Sequence, residues 1–222
     1  MKDYSKQNNE RIVKNTLTLY VRTALVMLVS LFTSRVVLSA LGIEDYGIYN
    51  IVGGVVVMFS VVSGALSASI SRFITFELGR ADMRKLRRIF STSINIQVGI
   101  SLLILILGET VGIWFLNYKM NIPLDRLEAA NWVLQCSLIT FVINLVSVPY
   151  NAVIIAHEKM SAFAYVSILE VILKLLIAYL LYISIWDKLV VYSLLLVLVA
   201  MTIRIVYGVY CNRHFFETRY QL

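Results

Sequence analysis

Six long apolar runs dominate this chain, at about Asn15–Leu41, Tyr46–Ile70, Ile89–Phe115, Ala130–Ile155, Ser161–Ser184 and Leu189–Tyr210. Each holds 22 to 27 residues, and about 20 suffice to cross a 30 Å hydrocarbon core at 1.5 Å per residue. Apolar runs of this length leave the backbone only one solution in lipid besides a closed barrel, the self-satisfied helix. A barrel would need shorter segments of alternating polarity, which the sequence lacks. The fold class is therefore an all-α integral membrane protein with a six-helix transmembrane bundle. Only 15% of the 222 residues are charged, against about 25% in soluble domains. This excludes a soluble enzyme, a disordered chain and a secreted disulfide scaffold.

The net charge of +7 does not imply a nucleic-acid partner, because the basic residues sit between the apolar runs. Their distribution sets orientation instead. Twelve lie on one side: Lys2, Lys6, Arg11, Lys14, Arg80, Arg84, Lys85, Arg87, Arg88, Lys159, Arg213 and Arg219. Three lie on the other, Lys119, Arg126 and Lys188, beside the acidic Glu44 and Asp45. The positive-inside rule places the basic side, and with it both termini, in the cytoplasm. Trp114, Trp132 and Trp186 fall at the opposite ends of their spans, where amphipathic rings favour the interface. The first run is too long for a cleavable signal and is expected to stay as a helix. Residues 1–14 and 211–222 then read as cytoplasmic tails around a lobe at 15–210. Within the basic connection, Phe76–Phe90 reads as a short amphipathic helix, with Met83, Leu86 and Phe90 on one side and arginines touching lipid headgroups on the other.

Charges at membrane depth carry the functional information, since each costs about 2.5–3.5 kcal/mol at a helix centre. Glu170 and Lys174 lie four residues apart on one face of the fifth span, as an intrahelical pair would. Arg22 and Arg35 occupy the two halves of the first span, Glu109 the third and Arg204 the sixth. Arg22 and Arg35 also have an interfacial reading, because long basic side chains snorkel. The sum is cationic, so a cavity shared by these groups would favour an anionic substrate. In the fourth span Ser137, Thr140, Asn144, Ser147 and Asn151 follow steps of three and four, which fits either a water-filled cavity or a helix–helix seam. In the second span Gly53, Ser60, Ser63, Gly64 and Ser67 read as a close-packing stripe. Pro149 should kink the fourth helix. Cys136 and Cys211 fall near opposite ends of their spans, so no disulfide is expected.

No phosphate loop or dinucleotide fingerprint is present. His157 and His214 lack the neighbours that metal binding or acyl transfer would require. No cofactor, metal or catalytic residue is expected, and a transporter is favoured over an enzyme.

Specific stretches support this. Thr33-Ser34-Arg35-Val36-Val37-Leu38-Ser39-Ala40-Leu41-Gly42, followed by Glu44-Asp45-Tyr46-Gly47-Ile48-Tyr49-Asn50, resembles the first helix and outer turn of Wzx-type polysaccharide (O-antigen) flippases. These belong to the MATE-like multidrug/oligosaccharidyl-lipid/polysaccharide exporter superfamily. Ser71-Arg72-Phe73 with Phe76-Glu77-Leu78-Gly79-Arg80, and Ala156-His157-Glu158-Lys159-Met160 with Glu170 and Lys174, are similar to later parts of the same proteins. The resemblance implies one lobe of a two-lobe transporter in the bacterial cytoplasmic membrane. The second six-helix lobe would lie further along a longer chain or come from a second copy. It implies that Arg22, Arg35, Lys174 and Arg204 contribute to a cationic lumen for an anionic lipid-linked glycan, with Glu170, Asn144 and Glu109 as polar or coupling groups. The alternatives are a cation-coupled drug exporter, which would want an unpaired lumenal acid, and a membrane scaffold without transport.

Overall fold

The structure, a computed structural model, describes residues 2–80 and 82–218, with side chains from residue 10 onward except residues 11 and 62. The described residues form helices and no strand. The principal elements are α1 (Lys2–Val57), α2 (Ser60–Arg80), α3 (Met83–Leu107), α4 (Ile113–Tyr118), α5 (Leu127–Ala156), α6 (Met160–Leu180) and α7 (Lys188–His214). Arg219 and the side chains of Lys2, Lys6 and Arg11, all used in the charge count, lie outside the described residues.

Five helical stretches, not six, are long and apolar enough to cross a membrane, and the first of them, Ile12–Val57, holds 46 residues. A straight helix of that length would measure about 69 Å, more than twice the hydrocarbon thickness. Gly42 resolves the excess. Its φ of 84° and ψ of 170° break the helical geometry, in a region open to glycine and closed to residues with a Cβ. The chain reverses there. The part before Gly42 packs on α6, and the part after it packs on α5 and α7. The second span is itself divided, because the ladder tightens at Phe59, whose N–H donates to Val56 O at 3.1 Å. Gly53 and Gly54 precede this break, and glycine is a poor helix former.

The expected Phe76–Phe90 helix is not a separate element. Its residues are shared between the end of α2 and the start of α3. The cause is Asp82, whose carboxylate accepts the Lys85 N–H at 3.1 Å and caps α3, as a short acidic side chain does at an N-cap. Leu86 and Phe90 are buried as expected, whereas Met83 is exposed.

α5 is the central element and packs against α1, α2, α3, α6 and α7. It runs through Pro149 without a break. Against it, α3 ends in a π-helical turn at Gly108–Gly112. A Cβ at Gly108 would sit 2.5 Å from Leu138 Cδ2. Glycine at 108 lets α5 approach closely in lipid, where packing rather than water exclusion drives association. Cys136 and Cys211 are free and buried.

Candidate functional site

A cavity of about 410 Å³ lies among the spans, bounded by the second span, α5 and α7. Tyr49, Gly53, Ser60 and Ser63 line one wall. Ser137, Thr140, Phe141 and Asn144 of α5 line the facing wall, and Ser193 of α7 closes it. The polar stripe of the fourth span thus faces a cavity through its first three members. Ser147 is buried and donates to Ile143 O at 2.8 Å, and Asn151 Oδ1 is buried without a hydrogen-bond partner.

The close-packing reading of the second-span stripe is corrected by the same geometry. A Cβ placed on Gly53, Gly54 or Gly64 would meet nothing within 4 Å. Small residues hollow this helix face instead of seating a neighbour on it. Close packing by glycine occurs at Gly108, where Leu138 leaves no room for a Cβ.

No charged side chain lines the 410 Å³ cavity. The charges occupy separate places. Lys174 Nζ donates to Glu170 Oε1 at 2.6 Å. It also lines a side pocket of about 200 Å³ with Thr33, Ser34, Asn50, Tyr49 and Tyr192. Tyr49 belongs to both cavities, and its ring meets Tyr192 edge-on at 5.0 Å. This tyrosine pair stands between the uncharged cavity and the lysine.

Arg22 bridges α1 to α6. Its Nη2 donates to Ser167 Oγ at 2.9 Å, and its guanidinium lies 4.5 Å from the Phe163 ring centroid. Arg204 stacks over Tyr150 at 4.0 Å, with Gly208 one turn on leaving room for its guanidinium. Among the described residues it has no acidic partner. Arg35 is exposed in a groove beside Tyr179 and Tyr182. Glu109 is exposed on the π turn and accepts from Gln135 Nε2 at 3.0 Å. Within this chain the four cations do not share one cavity.

Three further features are absent from the sequence-based expectations. The first sits at the end of the bundle marked by Gly42. Arg126 reaches Asp45 at 3.1 Å and Asp187 at 2.7 Å. Asp187 also caps α7 by accepting the Leu189 and Val190 N–H groups. One guanidinium therefore ties three connections that are distant in sequence, which no local pattern announces. The second is at the opposite, basic end. His157 pairs with Glu217 and stacks on Phe215 at 4.3 Å. Burial acts to raise the Glu217 carboxyl, but hydrogen bonds from His157 and from its own backbone outweigh it and hold the group below its ordinary value. The third is the run Ser93, Gln97 and Ser101 on one face of α3, all buried; neither amide atom of Gln97 has a hydrogen-bond partner. Its four-residue step was legible.

No cluster of metal-ligating side chains occurs among the described residues. No curated protein and no solved structure matches the chain. The MatE sequence profile matches residues 19–180, from the first span through α6. That match covers most of the chain and the whole of the two-cavity region contributed by α1, α2, α5 and α6. With several apolar membrane-crossing helices around a polar cavity, this multi-pass membrane chain belongs to the MatE family of MATE-superfamily exporters.

Proposed function

We propose that this chain is one lobe of an exporter that moves an anionic, polyprenyl-pyrophosphate-linked oligosaccharide across the bacterial cytoplasmic membrane. The observation that carries the reading is the lining of the 410 Å³ cavity, which offers hydroxyls, an amide and aromatic faces but no carboxylate. Hydroxyl and amide groups beside aromatic rings suit a sugar, whose edges hydrogen-bond and whose faces are apolar. A lipophilic cation would instead call for an acid. Of the membrane-depth acids, Glu170 is held by Lys174 and Glu109 lies outside the cavity.

We assign the diphosphate to Lys174, which shares its charge with Glu170 in the pocket behind Tyr49 and Tyr192, and to Arg204, which stacks on Tyr150 outside the 410 Å³ cavity without an acidic partner among the described residues. A diphosphate carried with the sugar would be attracted there. The basic end faces the cytoplasm by the positive-inside rule. A second six-helix lobe completes the path and rocks against this one, as in transporters built from parallel repeats. Moving two negative charges out of a compartment at about −100 mV is favoured by about 4.6 kcal/mol, at about 2.3 per charge. The membrane potential thus contributes to export.

The test is glycan export by the full transporter with Lys174→Ala or Arg204→Ala, with membrane insertion checked separately. Export should fall about tenfold or more in each variant while insertion is unchanged, because each loses a charge–charge contact worth more than about 1.4 kcal/mol in a water-poor site. Unchanged export in both would remove the anionic-substrate reading. Drug resistance conferred on an exporter-deficient host, with no glycan export, would favour the cationic-drug reading. Asn144→Cys in a Cys136→Ser background separates transport from scaffolding. Modification by a water-soluble thiol reagent is expected, and complete protection would indicate a packed seam.

A further inference from the structure

The basic end of α3 carries a feature that the export path does not use. Arg84, Arg87, Arg88, Ser91 and Asn95 recur at steps of three and four, which sets them on one face of the helix. With Thr92 and Phe216 they enclose a cavity of about 570 Å³. Arg87 lies 4.4 Å from the Phe216 ring centroid, so the segment after α7 forms part of the wall. Nearby acids are already engaged. Glu77 pairs with Arg80, and Asp82 caps α3 and pairs with Lys85. Among the described residues no carboxylate lies within ion-pair distance of Arg84, Arg87 or Arg88.

A second cavity of about 470 Å³ adjoins it between α2 and α3. Its walls are mainly apolar, with Leu66, Ile70, Phe73, Ile89 and Ile96. Arg88 and Thr92 line both cavities. A compartment holding three guanidinium groups therefore lies beside an apolar groove along α2 and α3, with Arg88 and Thr92 as the wall they share. Guanidinium forks match phosphate oxygens in pairs, and the groove accommodates a hydrocarbon chain. A soluble phosphate would use only the first compartment.

We propose that this is a binding site for an acidic membrane phospholipid, its phosphate held by Arg84, Arg87 and Arg88 and one acyl chain lying in the α2–α3 groove. The site is separate from the transport cavity and does not depend on which substrate that cavity takes. Because α2 and α3 meet here, a bound lipid joins the two helices at the end where Gly79, Arg80 and Asp82 leave them connected by a short turn.

The test is native mass spectrometry of the purified chain in detergent, titrated with dioleoyl phosphatidylglycerol and with dioleoyl phosphatidylcholine. The acidic lipid should be retained at least about tenfold more tightly. The triple variant Arg84→Gln, Arg87→Gln, Arg88→Gln should bind it on the order of a hundredfold more weakly, at about fivefold per basic residue. Removing three cations also weakens the signal that orients the chain. A triple Arg→Lys variant keeps the charge count and should still weaken binding several-fold, because an ammonium lacks the planar fork. Equal retention of the two lipids, or wild-type retention in the glutamine variant, would overturn the proposal. Displacement of the lipid by millimolar inorganic phosphate would also overturn it and indicate a soluble phosphate site. Export assays do not enter this test, so its failure leaves the transport reading untouched.

Discussion

The two ends of the bundle handle charge in opposite ways. At the Gly42 end one arginine is shared between two carboxylates, and Lys188 Nζ donates to Ala40 O at 3.3 Å, so the connections are bound to one another. At the basic end the only ion pair between distant segments is His157–Glu217 among the described residues, while three arginines on α3 face a cavity without a carboxylate partner. The first end uses its charge to hold the fold together. The second keeps arginines beyond those its carboxylates pair with among the described residues. The deciding factor is composition. The Gly42 end has few basic residues and an acid for each structural role, whereas the basic end carries more cations than acids can neutralise.

Arg126→Ala should produce the largest effect. It frees three connections and leaves the buried Asp45 without its counterion, for which a loss of about 2–3 kcal/mol is expected, below the roughly 3–5 typical of fully buried pairs because Arg126 is partly exposed. Thermal unfolding in detergent measures this. Adding Asp45→Asn should recover part of the loss, and no recovery would mean that Arg126 acts through packing alone.

A smaller effect is expected from Glu217→Gln, about 1 kcal/mol, since one hydrogen bond to an exchangeable histidine is weakened at a partly wet end. The loss should appear as faster hydrogen exchange in residues 211–218 and leave the Gly42 end unchanged. Equal loosening of both ends would show that they are one cooperative unit and would dissolve the contrast between them.

The smallest effect concerns pH. The Asp82 carboxyl is held below its ordinary value of 3.8, first by the Lys85 N–H, and Glu217 below its ordinary 4.5. A carboxylate depressed in the folded state contributes stability that is complete above its unfolded pKa and is lost as pH falls through the folded value. Both groups sit at the basic end, so acidification below about 4.5 should loosen that end. Hydrogen exchange at about pH 6 and about pH 3 compares the two states, and greater protection under the acidic condition would contradict the sign.

Much of this architecture was written in the apolar runs. Six runs alternate with basic and non-basic connections, and the described helices alternate accordingly. What the runs concealed was continuity. Helical geometry on both sides of Gly42 joins the first two runs into α1, because one glycine with positive φ reverses the chain without any loop. The α5 stripe was legible as polar periodicity, but its partner was misread: the second-span glycines suggested contact, and their open surroundings depend on how far the neighbouring helices stand apart. Lys174 and Glu170 were legible as an i,i+4 pair, and the structure places them together. Arg126 with Asp45 and Asp187 was illegible, because only the tertiary arrangement brings those positions within reach.

Gly42 also has a mechanical consequence. A loop between two membrane helices is a tether, which lets its helices slide past each other until the slack is taken up. A reversal made at one residue has no slack. The helices on either side of Gly42 can change their mutual angle only by rotation about that residue's own φ and ψ, so it acts as a pivot. Asp45, three positions further on and held by Arg126, fixes the short arm of the lever. A tilt of the first helix against α6 would therefore be a turn about Gly42.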